Sequence, residues 1–99
     1  MTKPRRYEEV LDEDLQDPTE AARYLSACLE DGDAEVFLLA LRDVARARGG
    51  VGQLAEATEL NREHLYRILS EHGNPELRSL ERLLDALGLR LAVAVKESA

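Results

Sequence analysis

The chain has 99 residues, 44% of them apolar but only four aromatic, Phe37 and three tyrosines, which is enough for one domain with a core of leucine, valine and alanine. Twenty acids against thirteen lysines and arginines leave a formal charge of -7, which argues against strong non-specific binding to DNA, because that affinity comes from cations replacing counterions on phosphates. The longest apolar run, Val36 to Leu41, is six residues where a bilayer span needs about 20, and Cys28 is the sole cysteine, so an internal disulfide is excluded and a soluble, cytoplasmic protein is expected.

In chain order, residues 1–16 scatter Tyr7, Val10, Leu11 and Leu15 among dense acids and read as an extended or weakly ordered arm. "DPTE" then opens a helix, with Asp17 as N-cap, Pro18 in the first helical position and Glu20 three residues past the cap. Ala21, Leu25, Cys28 and Leu29 share one face of it, and Gly32 stops it near Asp31. Up to residue 32 nine acids face four cations, a local balance of -5, whereas 33–50 and 74–99 are each neutral. An acidic front half suggests a basic partner. Asp33 caps the second helix, "AEVFLLALRDVARAR", whose Arg46 and Arg48 complement the C-terminal dipole before Gly49 and Gly50 end the run. Because Val36 to Leu41 is apolar all round, this helix is either central to the fold or at an interface.

Two short helices are predicted near 52–58 and 62–70, followed by the turn "EHGNPE". Ser79 stands where it would cap a fifth helix, with Leu80, Leu83, Leu84 and Leu87 at i, i+3, i+4 and i+7 and Gly88 after it. Residues 89–96, "LRLAVAVK", alternate Leu89, Leu91, Val93 and Val95 with Arg90, Ala92, Ala94 and Lys96, which is the period of a strand. A lone strand has an unpaired edge, so it must pair with a second copy, with its own N-terminal arm or with another protein. Small helical domains commonly recover stability by dimerising, and a homodimer is expected. The expected fold is a single domain, mainly all-α, with an arm at 1–16, two helices in 17–48, three more in 51–88 and a short C-terminal β-strand at 89–96.

The segment "GGVGQLAEATELNREHLYRILS" supports two incompatible readings. Gly50-Val-Gly52-Gln-Leu-Ala55 fits the G-x-G-x-x-A spacing of a dinucleotide loop, but such a loop follows a strand and is answered by an acid about 20 residues on, at the end of a second strand. Here "RDVARAR" before it is helical, and so is the segment where that second strand belongs. A helix-turn-helix asks instead for a small residue where the first helix meets the second (Ala55), apolar residues in the turn and on the buried face (Leu60, Leu65, Ile68) and a cap (Asn61). All are present, and they leave Arg62, Glu63, His64, Tyr66 and Arg67 facing outward.

With these residues aligned, the chain resembles the lambda-repressor-like (Xre-type) helix-turn-helix superfamily and, within it, the small antitoxins called probable addiction module antidote proteins. The resemblance covers nearly the whole chain and is most specific in "DVARARGG…LA…LYRILS…GNP…LDALGLRL". It implies a five-helix lambda-repressor-like domain and a type II antitoxin that neutralises a small basic toxin of the RelE/ParE-like class. It also implies autorepression, with a dimer bound to double-stranded operator DNA. Two positions depart from the superfamily's pattern. The usual turn glycine, four residues after the small alanine, is Glu59, where a left-handed backbone costs about 1–2 kcal/mol, so the turn is strained or altered. The glutamine often found at the start of the first helix falls on Val51, which leaves Gln53 as the nearest.

The candidate DNA-binding residues are therefore Gln53, Asn61, Arg62, Glu63, His64, Tyr66 and Arg67. With the N-terminus of the second helix in the major groove, Arg62 and Arg67 favour guanine or phosphate and Glu63 accepts from cytosine. Asn61 serves first as a cap, and Tyr66 either packs on the scaffold or touches phosphate. The bland alternative for all of them is a solvated helix face. His64, His72 and Cys28 match no zinc spacing, and the arm's acids, Glu8, Glu9, Asp12, Glu13 and Asp14, lack a rigid pocket. No nucleophile stands beside a credible base, so neither enzymatic activity nor a metal or cofactor is expected. Two rival functions stay open: a stand-alone helix-turn-helix transcriptional regulator, and a protein-interaction module without DNA binding.

Overall fold

Two aspartates start the N-terminal helices where their positions predict. Asp17 Oδ1 accepts from the backbone N–H of Thr19 at 2.9 Å, and Asp33 Oδ1 accepts from Glu35 at 2.9 Å and Val36 at 3.4 Å. The computed structural model describes residues 7–30, 32–70 and 72–97, with the backbone alone for 7–10. Among these residues it has six helices and no strand: α1 (Tyr7–Asp14), α2 (Pro18–Glu30), α3 (Ala34–Ala47), α4 (Val51–Thr58), α5 (Arg62–Ile68) and α6 (Leu77–Ala86).

The all-round apolar start of α3 makes it central, with α1 and α2 packed on one part of it and α4 on another. Phe37, Leu38, Ala40, Leu41, Val44 and Ala45 are all buried, while Val36 and Leu39 reach the surface. Tyr24 ties α2 to α3 by donating its hydroxyl to Asp43 Oδ2 at 2.9 Å. On the far side α4 packs against α5 and α6, and Leu54, Leu65, Ile68, Leu83, Leu84 and Leu87 continue the same core. No helix among the described residues is long and apolar enough to cross a membrane.

Three expectations need correction. Eight of the arm's ten described residues, 7–14, are helix rather than extended chain, and its first six residues lie outside the described ones. The cause is tertiary: Leu15 is fully buried, Arg46 Nε and Nη2 donate to Asp12 Oδ1 at 3.1 and 3.0 Å, and Arg48 Nε donates to the carbonyl of Leu15 at 3.1 Å. The helix count thus rises from five to six. The last helix begins at Leu77, two residues ahead of Ser79, with Glu76 in the N-cap position and no side-chain cap bond. Pro75 favours extended backbone at Asn74, and Glu76 is itself extended at φ -67° and ψ 151°, so the chain turns helical only from Leu77, with Leu80 N–H closing the first turn on the Glu76 carbonyl at 3.0 Å.

The third correction concerns the C-terminus. Gly88 adopts φ 77°, which turns the N–H of Leu89 back onto the Leu84 carbonyl at 2.8 Å and ends α6. Residues 89–97 then form neither helix nor strand. A strand exists through its ladder, and within one chain no other described segment is extended enough to supply the second rail.

Candidate nucleic-acid interface

The α4–α5 pair is set by side chains within the turn itself. Thr58, buried at the end of α4, donates its hydroxyl to the Leu54 carbonyl at 2.7 Å and accepts from the N–H of Leu60 at 3.3 Å. Glu59 between them takes a left-handed conformation, φ 61° and ψ 17°, the strained arrangement that its place in the sequence foreshadowed. It is the only non-glycine residue with positive φ among those described. Asn61 follows in extended backbone and caps α5, its Oδ1 accepting from Glu63 N–H at 2.8 Å and His64 N–H at 3.2 Å.

With the cap and the turn fixed, the faces of α5 follow from helical period. Leu65 and Ile68 enter the core, with Leu69 just beyond them. Arg62, Glu63, Tyr66 and Arg67 are exposed, and His64 is half-buried rather than fully outward. Tyr66 is about half exposed, at 47%. The helix ends at Ile68, two residues sooner than predicted, and the Ser70 hydroxyl takes the Arg67 carbonyl at 2.7 Å. Outward-facing α5 therefore carries two guanidinium groups against one carboxylate, on a chain that is acidic overall.

The first turn of α4 lies beside this face. Gly50 sits in the N-cap position without a side-chain cap, so the leading N–H groups of α4 remain available to an acceptor. Arg62 reaches back across that turn: a Cβ placed on Gly52 would come within 2.8 Å of Arg62 Nη2. Gln53 folds over Gly49, where any side chain would collide with its carboxamide. The structure thus gathers Gln53, Arg62 and an uncapped helix N-terminus, a set of donors with the chemistry to hold an anionic oxygen. Gly50 precedes and Gly52 lies in a helix that follows α3, not a loop after a strand, which removes the dinucleotide reading.

Two contributors escaped the sequence reading. Thr58 was detectable in principle as a hydroxyl residue at a helix end before a turn. Gly52, which leaves room for Arg62, carries no local signal, because its value depends on a residue ten positions away. His64, His72 and Cys28 do not come together, and no group of three or more His, Cys, Asp or Glu that could hold a metal ion occurs among the described residues. His72 instead lies 3.7 Å from Glu35 Oε1 through its Nδ1.

A family model described as "Probable addiction module antidote protein" matches residues 7–95, from the first residue of α1 past the end of α6. The chain belongs to that family. It is also similar to an uncharacterized protein of Haemophilus influenzae (strain ATCC 51907 / DSM 11121 / KW20 / Rd), 37% identical over 81 residues, which are 82% of each chain. No solved structure matches it. The family match spans the acidic helices as well as the α4–α5 pair, so what this antidote family shares is larger than the candidate interface alone.

Proposed function

We propose that this antidote-family chain is the antitoxin of a type II toxin-antitoxin pair. It binds and neutralises a small basic toxin of the RelE/ParE-like class and, as a cytoplasmic homodimer, represses its own operon. It works by binding, without enzymatic activity, metal or cofactor. In this reading α4 and α5 are the helix-turn-helix of a lambda-repressor-like domain. One observation carries it: an Asn61-capped α5 presents Arg62 and Arg67 outward beside the uncapped start of α4. The first turn of α5 enters the major groove, where Arg62 and Glu63 meet base edges, while Gln53 and the leading N–H groups of α4 hold phosphate. A dimer sets two such helices about 34 Å apart on a palindrome.

The toxin side of the reading rests on family membership and on charge. Glu13, Asp14, Asp17 and Glu30 are exposed on α1, α2 and the turn between them, an acidic surface opposed to a cationic toxin face built for nucleic acid. Because the chain carries -7, its operator affinity alone is modest and rises when the toxin joins and contributes cations.

The experiment is co-expression with the neighbouring small gene product, scored by pull-down and growth rescue, followed by gel shifts on the operator with and without toxin. Arg62→Ala with Arg67→Ala abolishes the shift and leaves rescue intact. A double variant that shifts operator like the parent chain excludes the α5 reading, and a neighbour that is harmless and unbound excludes the antitoxin role in favour of a stand-alone regulator.

A further inference from the structure

The segment after α6 has a chemistry that operator and toxin binding leave unused. Beyond the Leu89 N–H, no backbone group of residues 89–97 bonds to the backbone of another described residue. Its apolar side chains alternate, and their surroundings change along the way. Leu89 and Leu91 line a groove on α2 and α3 with Leu25, Leu29 and Phe37, whereas Val93 and Val95 are 101% and 94% exposed. Fully exposed valines at strand period on unpaired backbone form an edge that needs another strand to cover it.

We infer that this tail is a dimerisation strand, pairing antiparallel with the same segment of a second copy in the register that sets Ala92 opposite Ala92 of the partner subunit. The inference rests on the dimeric reading above and adds the segment, the direction and the register.

Charge selects the occupant. From 89 to 97 the tail carries Arg90 and Lys96 against Glu97 alone, so a small basic toxin meets a net like charge here and its complement on α1 and α2. Side-chain faces select the register. Directly opposite residues in an antiparallel pair share a face, so odd positions must oppose odd ones to keep the apolar face intact. Among such registers, only the one centred on Ala92 pairs the four odd positions of 89–95 entirely with one another, Leu89 against Val95 and Leu91 against Val93. It also sets Arg90 against Ala94 and Lys96 against Gly88. Sliding the copies to centre on Val93 brings Arg90 against Lys96, and parallel in-register pairing stacks each cation on itself. Since Leu89 and Leu91 line the groove, the second copy's valines lie beside them on the same face and extend apolar cover toward Leu29, which is 51% exposed on α2.

The test uses the full chain. In a Cys28→Ala background, Ala92→Cys puts one thiol per chain at the two-fold axis, where opposed Cβ atoms about 4.5–5.5 Å apart lie near disulfide reach. Mild oxidation is expected to convert most of it to covalent dimer on a non-reducing gel, with at least tenfold less from Ala94→Cys. A second variant, Val93→Asp with Val95→Asp, changes only exposed side chains. It is expected to halve the mass found by light scattering while helical circular dichroism is kept. Preferential cross-linking through Ala94→Cys overturns the register. A parent chain that is dimeric, fails to cross-link through Ala92→Cys and stays dimeric with both aspartates overturns the tail inference and leaves the dimer reading standing. A monomeric parent chain overturns both. A double-aspartate variant that stays dimeric but no longer retains toxin assigns the tail to the toxin and overturns the inference.

Discussion

Helix α1 and the α4–α5 pair are both short, yet opposite means hold them in place. The α4–α5 turn is fixed from within by Thr58 and Asn61, each bonding to backbone no more than four residues away. Helix α1 is held by the burial of Leu15 and by Arg46 and Arg48, more than thirty positions along the chain. The contrast separates two kinds of short helix, both dependent on the shared core, one with its ends set by side chains a few residues away and one fastened by residues far along the chain.

The largest expected effect tests whether α1 belongs to the cooperative fold at all. Leu15 is 1% exposed, so Leu15→Ala is expected to cost about 2–5 kcal/mol in urea unfolding, as for other fully buried leucines. A loss below about 0.5 kcal/mol, the range of ordinary surface changes, would mean that α1 lies on the fold without being part of it, and the contrast with α4–α5 would become one of stability rather than of mechanism.

A smaller effect is expected in the turn. Asn61→Ala removes the acceptor for two N–H groups at the start of α5 and is expected to cost about 1 kcal/mol, with Asn61→Asp recovering most of it. Hydrogen exchange should localise the loss to α5. Loss spread evenly over α1 to α3 instead would show that the turn is not set locally.

The same contrast explains what the sequence made legible. Asp17, Asp33 and Asn61 act on backbone two or three residues ahead, so a reader of the sequence finds them, and the leucines of α6 reveal their buried face by spacing alone. The left-handed turn at Glu59 was visible as a departure from a pattern and is present. Helix α1 was not visible, because Leu11 and Leu15 give too short an apolar stripe and the arginines that fix the arm lie in another helix. Residues 89–96 misled in the other direction. Alternation reports which face an extended segment would bury, but whether it becomes a strand depends on a partner outside the chain. At the candidate interface, the sequence located the outward residues of α5, while the approach of Arg62 to Gly52 needed the folded geometry.

The smallest expected effect separates charge from burial as the force on α1. Asp12 and Arg46 are paired at 3.0 Å, with side chains 35% and 42% exposed, and a pair so open to solvent is worth about 0.2–1 kcal/mol. Asp12→Asn is therefore expected to cost a fraction of a kcal/mol in low salt and nothing measurable in 1 M salt, where the screening length falls to about 3 Å. The Asn61→Ala loss, which involves a neutral side chain, is expected to persist unchanged across the same range. Were the Asp12→Asn loss also insensitive to salt, the two hydrogen bonds from Arg46 would be acting through geometry rather than charge. Helix α1 would then be pinned in orientation as firmly as α5, and its acidic face would reach a cationic partner already ordered, with less entropy left to lose on binding.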